Sequence, residues 1–259
     1  MRVDVDAAAE DLWFHAERGD HAPERWRGKL TYEDGLAVQL CQLDRKLEAG
    51  DKLAGWKVGL TSPRARKMIG ADERPFGHLL RARVFSAGDE VPILEMREPH
   101  IEPELCFVFA RPVDDPGQLH EAVGSVHAGF ELNENRAGTV TGDFPLTVAD
   151  NMAQWGIVVG EGADPRAVDL NTVSVELRCD GDVRFEGVSG DLLDDHWESL
   201  ARLVEVLGRH SRRIEAGHRV ITGAYCRLPA AAGEHWEATY SANGTDGADT
   251  LGVVDVTFG

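Results

Sequence analysis

Two glutamates lie two residues apart in "HIEPELCFVF", His100 to Phe109, at the start of an apolar segment. Alternate side chains of an extended chain share a face, so Glu102 and Glu104 point the same way, with Cα atoms roughly 6.5–7 Å apart. Buried together they repel unless a cation lies between them, and oxygen-only ligands select magnesium or manganese over zinc. On spacing alone, a solvated edge strand is the simpler interpretation, because Pro103 cannot donate to a ladder.

A lysine in "GWKVGLTS" is the second candidate. In an extended segment Lys57 faces away from Trp56 and Val58, and Gly55 and Gly59 let another chain or a ligand approach closely. A lysine beside an apolar wall can lose its proton near neutral pH and act as acid or base. A lysine whose stem merely covers apolar surface gives the same pattern, so Lys57 alone does not specify catalysis.

The segment "GFELNENR" supplies a third carboxylate, from Glu131 or Glu134. Glu131 is preferred because it lies between the apolar residues Phe130 and Leu132. Carboxylates at the end of a helix or in a loop explain the segment equally well.

Two more polar clusters fit either a site or a structural role. In "TVADN", Asp150 and Asn151 can serve a site or close the turn before "WGIVVG". The cluster "DDHWE" is more typical of helix caps and dipole partners; its polar members are Asp194, Asp195, His196 and Glu198. No Ser-His-Asp or Cys-His signature favours nucleophilic catalysis.

The composition of the 259 residues narrows the class of protein. Against 27 Lys and Arg stand 45 Asp and Glu, a net charge of −18, which repels nucleic acid and anionic membranes. The four cysteines form no CxxC pair that would indicate zinc or a disulfide framework. The sequence begins without a secretory signal, and no apolar run approaches about 18 residues, so we expect a cytoplasmic protein. No phosphate-binding glycine motif supports nucleotide binding.

Helical periodicity covers the chain up to about Gly50, with Thr31 and Asp34 as a capping pair and Gly50 as the stop. Thereafter short β-branched segments dominate, interrupted by three predicted helices: "SPRARKMIG" from Ser62, "GQLHEAVGSV", and "DDHWESLARLVEVLGRHSRRIEAG" as the longest. This irregular mixture predicts an α+β fold or β-roll. We predict an N-terminal helical segment over 1–50 and a β-roll domain over 51–259.

Taken in order, these segments resemble the hydratase/decarboxylase branch of the fumarylacetoacetate hydrolase superfamily. "TYEDGLAVQ" looks like its entry helix, "GWKVGLTS" its lysine strand, "PFGHLL" its next turn, "HIEPELCFVF" its Glu-x-Glu strand and "GFELNENR" its third-glutamate segment. "TVADN" and "IEAGHRVITGAY" follow in the expected places, so the resemblance extends from about Leu30 to the C-terminus.

The resemblance implies a mixed β-roll core with flanking helices, a homo-oligomer, and a magnesium or manganese ion. The implied ligands are Glu102, Glu104 and Glu131, and the implied catalytic residue is Lys57. From the same motifs we expect substrate contacts from Thr61, Ser62, Asp150, Asn151 and Thr222. The implied activity is a lyase on 2-oxo-enoic or 2-hydroxy-dienoic acids of aromatic catabolism, with 2-oxopent-4-enoate hydration ahead of 2-oxo-3-hexenedioate decarboxylation.

The chain departs from its relatives around the pocket. Pro75 stands where many hydratases have an acidic residue before "FG", and decarboxylases often lack that residue and read Glu-Pro-Glu, as here. Met152 and Ala153 replace small hydroxyl residues, "DDH" replaces a Gly-x-Pro stretch, and "NENR" stands where relatives often have "DSR". A non-catalytic member that kept the fold therefore stays an alternative. Carbon–carbon hydrolysis and oxaloacetate decarboxylation are weaker alternatives, supported only by His15 and Glu17.

Overall fold

The structure of the chain is a computed structural model, and it describes residues 3–69, 74–138, 142–244 and 247–259. Its helices are α1 (Val5–Glu17), α2 (Tyr32–Glu48), α3 (Pro63–Ile69), α4 (Leu119–Ala122), α5 (Phe144–Ala149), α6 (Ser189–Leu192) and α7 (His196–Arg209). Within these described ranges, none of the helices combines the length and the apolar character that crossing a bilayer requires.

Helix α2 confirms the predicted capping pair. The Asp34 N–H donates to the Thr31 hydroxyl at 3.1 Å, and the Thr31 N–H donates to the Asp34 carboxylate at 3.0 Å. This reciprocal capping box satisfies two backbone donors that the first turn leaves unpaired. Gly50, at φ +106°, follows the last turn in a conformation that favours glycine.

Two helix predictions are wrong in extent. Helix α7, with 14 residues, is the longest of the three helices predicted after Gly50, as expected, but it is shorter than the predicted segment. Helix α7 ends at Arg209, and Ser211 nearby takes a left-handed φ of +56° that cannot continue a helix. The helix predicted over residues 117–126 ends at Ala122, because Val123 begins a strand that pairs with the strand ending at Phe109.

The strands form two sheets. In chain order they are β1 (Leu53–Val58), β2 (Phe76–Leu80), β3 (Val84–Ser86), β4 (Glu90–Val91), β5 (His100–Phe109), β6 (Val123–Asn133), β7 (Gln154–Ala163), β8 (Ser174–Cys179), β9 (Asp182–Val188), β10 (Arg219–Ala224), β11 (Leu228–Pro229), β12 (His235–Gly244) and β13 (Gly247–Phe258). The main sheet runs β2-β1-β10-β5-β6-β7-β3, with β11 also paired to β5, and the second runs β4-β13-β12-β8-β9. Parallel and antiparallel pairs coexist, which confirms the mixed α+β fold.

Strand β5 lies inside the main sheet, so the interpretation of "HIEPELCFVF" as an edge strand is wrong. It pairs with β6 along its whole length, and with β10 and then β11 on its other side. Pro103 lies next to Glu104, where the β10 pairing has shifted register between Ile221 and Ala224. Its carbonyl accepts a hydrogen bond from the Tyr225 N–H at 3.1 Å on that irregular side. The missing N–H of Pro103 therefore interrupts the ladder at a bulge rather than at an edge.

The two faces of β5 have different surroundings. Ile101, Leu105 and Phe107 pack into the large hydrophobic core, while Cys106 on the opposite face joins a small separate cluster. The other buried members of that cluster are Ala54, Leu79, Ile157 and Ile221. The sheet is therefore curled around a small apolar floor, and the two glutamates of β5 stand on the same face as that floor.

The N-terminal helices pack on one flank of the main sheet. Leu36 and Leu43 of α2 belong to the same buried cluster as Trp56 and Phe76 of the sheet. The Gln39 amide donates to the Phe76 carbonyl and to the Val148 carbonyl, each at 3.0 Å. The proposed division of the chain at residue 50 stays a prediction.

Candidate metal and acid–base site

Three glutamates converge on the inner face of the curled sheet. Glu102 pairs with Glu131 across β5 and β6, and Glu104 is two residues farther along β5. One carboxylate oxygen from each lies within 4.8 Å of the others, and the three residues are 9%, 2% and 2% exposed. The two-residue period of a strand places Glu102 and Glu104 on one face of β5, and the pairing of β5 with β6 brings Glu131 beside them.

The cluster is negatively charged and poorly compensated. Burial and the neighbouring Glu131 raise the pKa of Glu102 to about 7, and the same causes raise the pKa of Glu104 well above its usual range. Glu104 accepts a hydrogen bond from the Gly223 N–H at 2.7 Å, and the Arg227 guanidinium lies 3.5 Å from the Glu102 carboxylate. These partners relieve the repulsion only in part.

The donor set fits a hard divalent cation. Carboxylate oxygens are the ligands that magnesium prefers, and a bound cation would remove the cost of burying three acids together. The raised pKa values of Glu102 and Glu104 record that cost in the protein without an ion. Glu102, Glu104 and Glu131 are thus the residues that would hold a metal.

Lys57 projects from β1 into the same group. Its register with Ile221, and that of Ile221 with Cys106, place it on the face that carries the glutamates. Its side chain is buried, and Nζ donates to the Glu131 carboxylate and, at 2.8 Å, to the Met152 carbonyl. A Cβ at Gly77 would lie 3.0 Å from the Lys57 stem, so glycine on β2 leaves space for it.

A cavity of about 630 Å³, the main cavity, opens beside these four residues. Thr61 and Ser62, two of the predicted substrate contacts, line its wall. Its other polar lining residues are Arg64, Asn133, Asn135, Thr147, Asp191, Tyr225 and Arg227. The volume is ample for a small organic acid, and the lining mixes apolar groups with a few polar ones, as ligand sites do.

A second cavity of about 150 Å³ contains the other predicted contacts from "TVADN". Asp150 forms an ion pair with Arg136, and Arg136 Nε lies 3.1 Å from the Glu134 carboxylate. The Asn151 side chain bonds the backbone of His78. Neither Asp150 nor Asn151 lines the main cavity. Glu134 is also here, so Glu131 is the glutamate that joins the cluster.

Thr222 lies away from both cavities. It is fully buried, and its hydroxyl bonds His196 Nδ1 at 2.7 Å. The Ser189 hydroxyl bonds the other ring nitrogen of His196 at 3.1 Å. Burial lowers the pKa of His196 to about 4, so the ring is neutral at pH 7. The structure thus pairs Thr222 with a buried histidine rather than with the glutamates.

The "DDH" departure forms structural contacts. Asp194 pairs with Arg66 and Arg74 at 2.5 and 2.8 Å, and Asp195 caps α7 by accepting from the Glu198 N–H at 2.9 Å. The interpretation of "DDHWE" as a helix cap is confirmed for Asp195, whereas Asp194 is an ion-pair partner of two arginines.

Two other sequence features lie outside the chemistry. The Pro75 carbonyl accepts from the Gly59 N–H at 2.7 Å. His15 and Glu17, the residues behind the weaker alternatives, do not act as a pair. His15 bonds the backbone of Asp11 at 2.8 Å, and Glu17 lines the second cavity.

The sequence patterns missed two contributors to the site, Arg227 and Gly223. Arg227 pairs with Glu102 and donates to the Asn135 side chain, and Gly223 supplies a backbone donor to Glu104. Gly223 carried a usable signal, since it ends a β-branched run. At φ +130°, a Cβ there would lie 2.0 Å from the Thr61 hydroxyl. Arg227 carried no such signal in the sequence, because only the connection between β10 and β11 brings it close to Glu102.

Comparisons with known proteins show extensive similarity. No protein-family model matches the chain. A 2-keto-4-pentenoate hydratase from Burkholderia vietnamiensis is 30% identical over 229 residues, 86% of this chain and 84% of that protein. A 2-oxo-hept-4-ene-1,7-dioate hydratase from Escherichia coli is 28% identical over 84% of this chain and 86% of its own length.

Among solved structures, a 4-oxalocrotonate decarboxylase from Pseudomonas putida G7, complexed with magnesium and adipate, superimposes with a TM-score of 0.87. It is 25% identical, and the match covers 98% of this chain and 97% of that one. A fumarylacetoacetate isomerase/hydrolase homologue from Oleispira antarctica, 15% identical with a TM-score of 0.51, shares the fold over 78% of this chain and 92% of its own.

Proposed function

The chain belongs to the hydratase/decarboxylase branch of the fumarylacetoacetate hydrolase superfamily, and on that premise we propose that it is a divalent-metal-dependent lyase. Its substrates are 2-oxo-enoic acids or their 2-hydroxy-dienoic forms, and its reaction is 2-oxopent-4-enoate hydration. The observation that carries the proposal is the convergence of Glu102, Glu104 and Glu131 with Lys57 beside the main cavity.

The residues divide the chemistry among them. When bound by the three glutamates, a magnesium ion supplies Lewis-acid polarisation of the substrate's 1-carboxylate and 2-oxo oxygens. Lys57 Nζ, held by Glu131 and the Met152 carbonyl, donates or accepts the proton that interconverts dienol and ketone. Thr61 and Ser62 orient the substrate from the cavity wall, and Leu192, another lining residue, limits access of water.

Decarboxylation of 2-oxo-3-hexenedioate is the second candidate. Hydration needs a group that activates water, and Pro75 replaces the carboxylate that many hydratases have. Among the described residues, Asp191 on α6 is the fourth carboxylate lining the main cavity and is the base that hydration would use. Decarboxylation needs no such base, because the electron pair of the broken carbon–carbon bond passes into the conjugated 2-oxo system. The similarity to a decarboxylase complexed with adipate, a dicarboxylate, supports this candidate.

The remaining expectations follow from family membership. Magnesium is the proposed ion and manganese the alternative, because both favour oxygen ligands. The proposed setting is aromatic catabolism in the cytoplasm, with the chain acting as a homo-oligomer. The net charge of −18 supports a small-molecule partner over nucleic acid.

Turnover assays test the proposal. Purified protein is treated with a chelator and then incubated with 2-hydroxypenta-2,4-dienoate or with 2-oxo-3-hexenedioate, with and without added magnesium. We expect the first substrate to be consumed only when magnesium is present. The loss of its ultraviolet absorbance measures this consumption. Consumption of only the second, with release of carbon dioxide, selects decarboxylation. If neither is consumed although magnesium binds, the chain is a non-catalytic member and the proposed activity is wrong.

A further inference from the structure

Three consecutive residues with side chains adopt left-handed backbone conformations next to Lys57. Asn151, Met152 and Ala153 have φ values of +54°, +55° and +61°. Such values are unfavourable for residues with a Cβ, and Met152 and Ala153 lack the local hydrogen bonding that helps asparagine adopt them. A run of three persists only where the surroundings impose it. Residues 151–153 are called the left-handed turn below.

The Asn151 side chain attaches this turn to strand β2. The His78 N–H donates to Asn151 Oδ1 at 2.8 Å, and Asn151 Nδ2 donates to the His78 carbonyl at 3.0 Å. Strand β2 is the terminal strand of the main sheet, so the Asn151 amide acts like a neighbouring strand for one residue of its free edge. A Cβ at Gly77 would lie 3.0 Å from the Asn151 carbonyl oxygen, which shows how closely the turn approaches the strand.

The left-handed turn also directs the Met152 carbonyl at Lys57. Lys57 Nζ donates to the Met152 carbonyl at 2.8 Å, and its other partner is Glu131. Glu131 is a proposed metal ligand, so a bound ion would share its carboxylate with Lys57. The Met152 carbonyl is not one of the proposed ligands, so it would remain a partner of Lys57 alone. A flexible four-carbon side chain is held in one place only if its head group has more than one partner.

We propose that Asn151 is a positioning residue for the reaction: by attaching the left-handed turn to β2, it holds the Met152 carbonyl where it fixes Lys57 Nζ beside the glutamates. Asn151 was predicted to contact substrate, but it lines the second cavity instead. Its effect on the reaction passes through the backbone of Met152. This inference rests on the proposed function, since it assigns Lys57 the proton transfer.

Kinetics of an alanine variant and a matched control test the inference. Asn151→Ala removes both bonds to the His78 backbone. Gln39→Ala also removes two buried side-chain bonds to backbone, one of them to Phe76 on the same strand β2, without touching the turn. We expect Asn151→Ala to lower kcat at least about tenfold with KM within about twofold, because a displaced acid–base group slows chemistry more than binding. The control keeps kcat within about twofold of the wild type, although it too loses stability.

The conservative variant Asn151→Asp keeps the acceptor for the His78 N–H and loses the donor to the His78 carbonyl. We expect it to recover part of the kcat lost in Asn151→Ala, and it replaces that variant if alanine prevents folding. The inference is overturned if Asn151→Ala retains wild-type kcat, or if Gln39→Ala loses as much kcat as Asn151→Ala. Either result would assign Asn151 a purely structural role.

A crystal structure of the metal-free Asn151 variant gives a readout that does not depend on turnover. We expect the Met152 carbonyl to move beyond hydrogen-bond distance of Lys57 Nζ, more than about 3.5 Å. A carbonyl still within that distance overturns the inference. If the wild type consumes neither substrate, the proposed function fails, and this structural comparison still decides whether Asn151 positions Lys57.

Discussion

The two cavities of this protein both contain buried acids, but they treat charge in opposite ways. In the second cavity, Arg136 lies between Asp150 and Glu134 and contacts both. In the main cavity three glutamates face one another, and Lys57 contacts one of them directly. In the second cavity the arginine contacts both acids, whereas in the main cavity the three acids face one another directly, and Lys57 and Arg227 relieve their repulsion only in part.

This difference indicates which cavity takes a ligand. Burying an unpaired charge is unfavourable, and such an arrangement persists where function requires it. The acids of the second cavity share Arg136 as their partner. The acids of the main cavity lack a sufficient partner and lie beside a volume of about 630 Å³. The four predictions that follow test this contrast.

The largest effect is expected from Lys57→Met. Removing the ammonium eliminates the proposed proton transfer, which contributes typically 10²–10⁴-fold, so we expect kcat to fall about 10³-fold. Magnesium affinity should be retained, because the glutamates remain. Single-turnover assays with 2-hydroxypenta-2,4-dienoate and calorimetric magnesium titration measure the two quantities. Wild-type turnover in this variant would remove Lys57 from the chemistry.

In the second cavity, Arg136→Met should destabilise the protein by about 3 kcal/mol, because it leaves two buried carboxylates without their partner. Urea denaturation measures the change. Arg111→Met is the matched control, since the Arg111–Glu121 pair is largely exposed and should contribute less than about 1 kcal/mol. Equal effects of the two substitutions would contradict the claim that the second cavity is held together by its balanced charges.

The pH dependence of metal-free stability reports the unbalanced cluster. The pKa of Glu102 rises from 4.5 to about 7 on folding, so folding takes up a proton between these values. The stabilising contribution is complete below pH 4.5 and is lost as pH rises through about 7. Between pH 4.5 and 8, wild type should lose about 2 kcal/mol relative to Glu102→Gln.

Chelator-treated samples unfolded with urea at several pH values measure this difference. Buried His78, whose pKa is lowered to about 3, acts in the opposite direction in both proteins and cancels in the comparison. A constant difference between wild type and Glu102→Gln across that range would show that the Glu102 carboxyl is not strained by burial.

The smallest effect, and opposite in sign to that of Arg136→Met, is expected from Glu104→Gln. At pH 8 without metal, the amide cannot ionise, so the cost of burying an acid beside Glu102 and Glu131 is removed, and its oxygen still accepts from the Gly223 N–H. We expect a gain of about 1 kcal/mol in the free energy of unfolding. Destabilisation instead would mean that the glutamates are already compensated in the protein without an ion.

Local patterns predicted the parts of the fold and site that depend on neighbours in sequence. The Thr31–Asp34 capping box and the common face of Glu102 and Glu104 both follow from spacing along one element. The resemblance to the family placed Glu131 and Lys57 with them. Spacing alone could not, because Glu131 joins through the β5–β6 register, and Lys57 reaches the site across two intervening strand pairings.

The failures share a cause: contacts between distant segments override local signals. Val123 reads as helical by its neighbours, yet it pairs with β5. Pro103 suggested an edge, yet the β10 irregularity accommodates it in an internal strand. Asn151 suggested a substrate contact, and only the position of β2 shows that its amide bonds the His78 backbone. Tertiary context of this kind has no signature in a single sequence.

Calorimetric titration of magnesium into the chelator-treated protein tests the central claim most directly. We predict one magnesium ion per chain in the wild type, a loss of at least about tenfold in affinity in Glu104→Gln, where one carboxylate ligand is neutralised, and wild-type binding in Asp150→Asn, which alters the second cavity. Absence of binding to the wild type at millimolar magnesium, or equal binding by Glu104→Gln and the wild type, would contradict the assignment of the three glutamates as a metal centre.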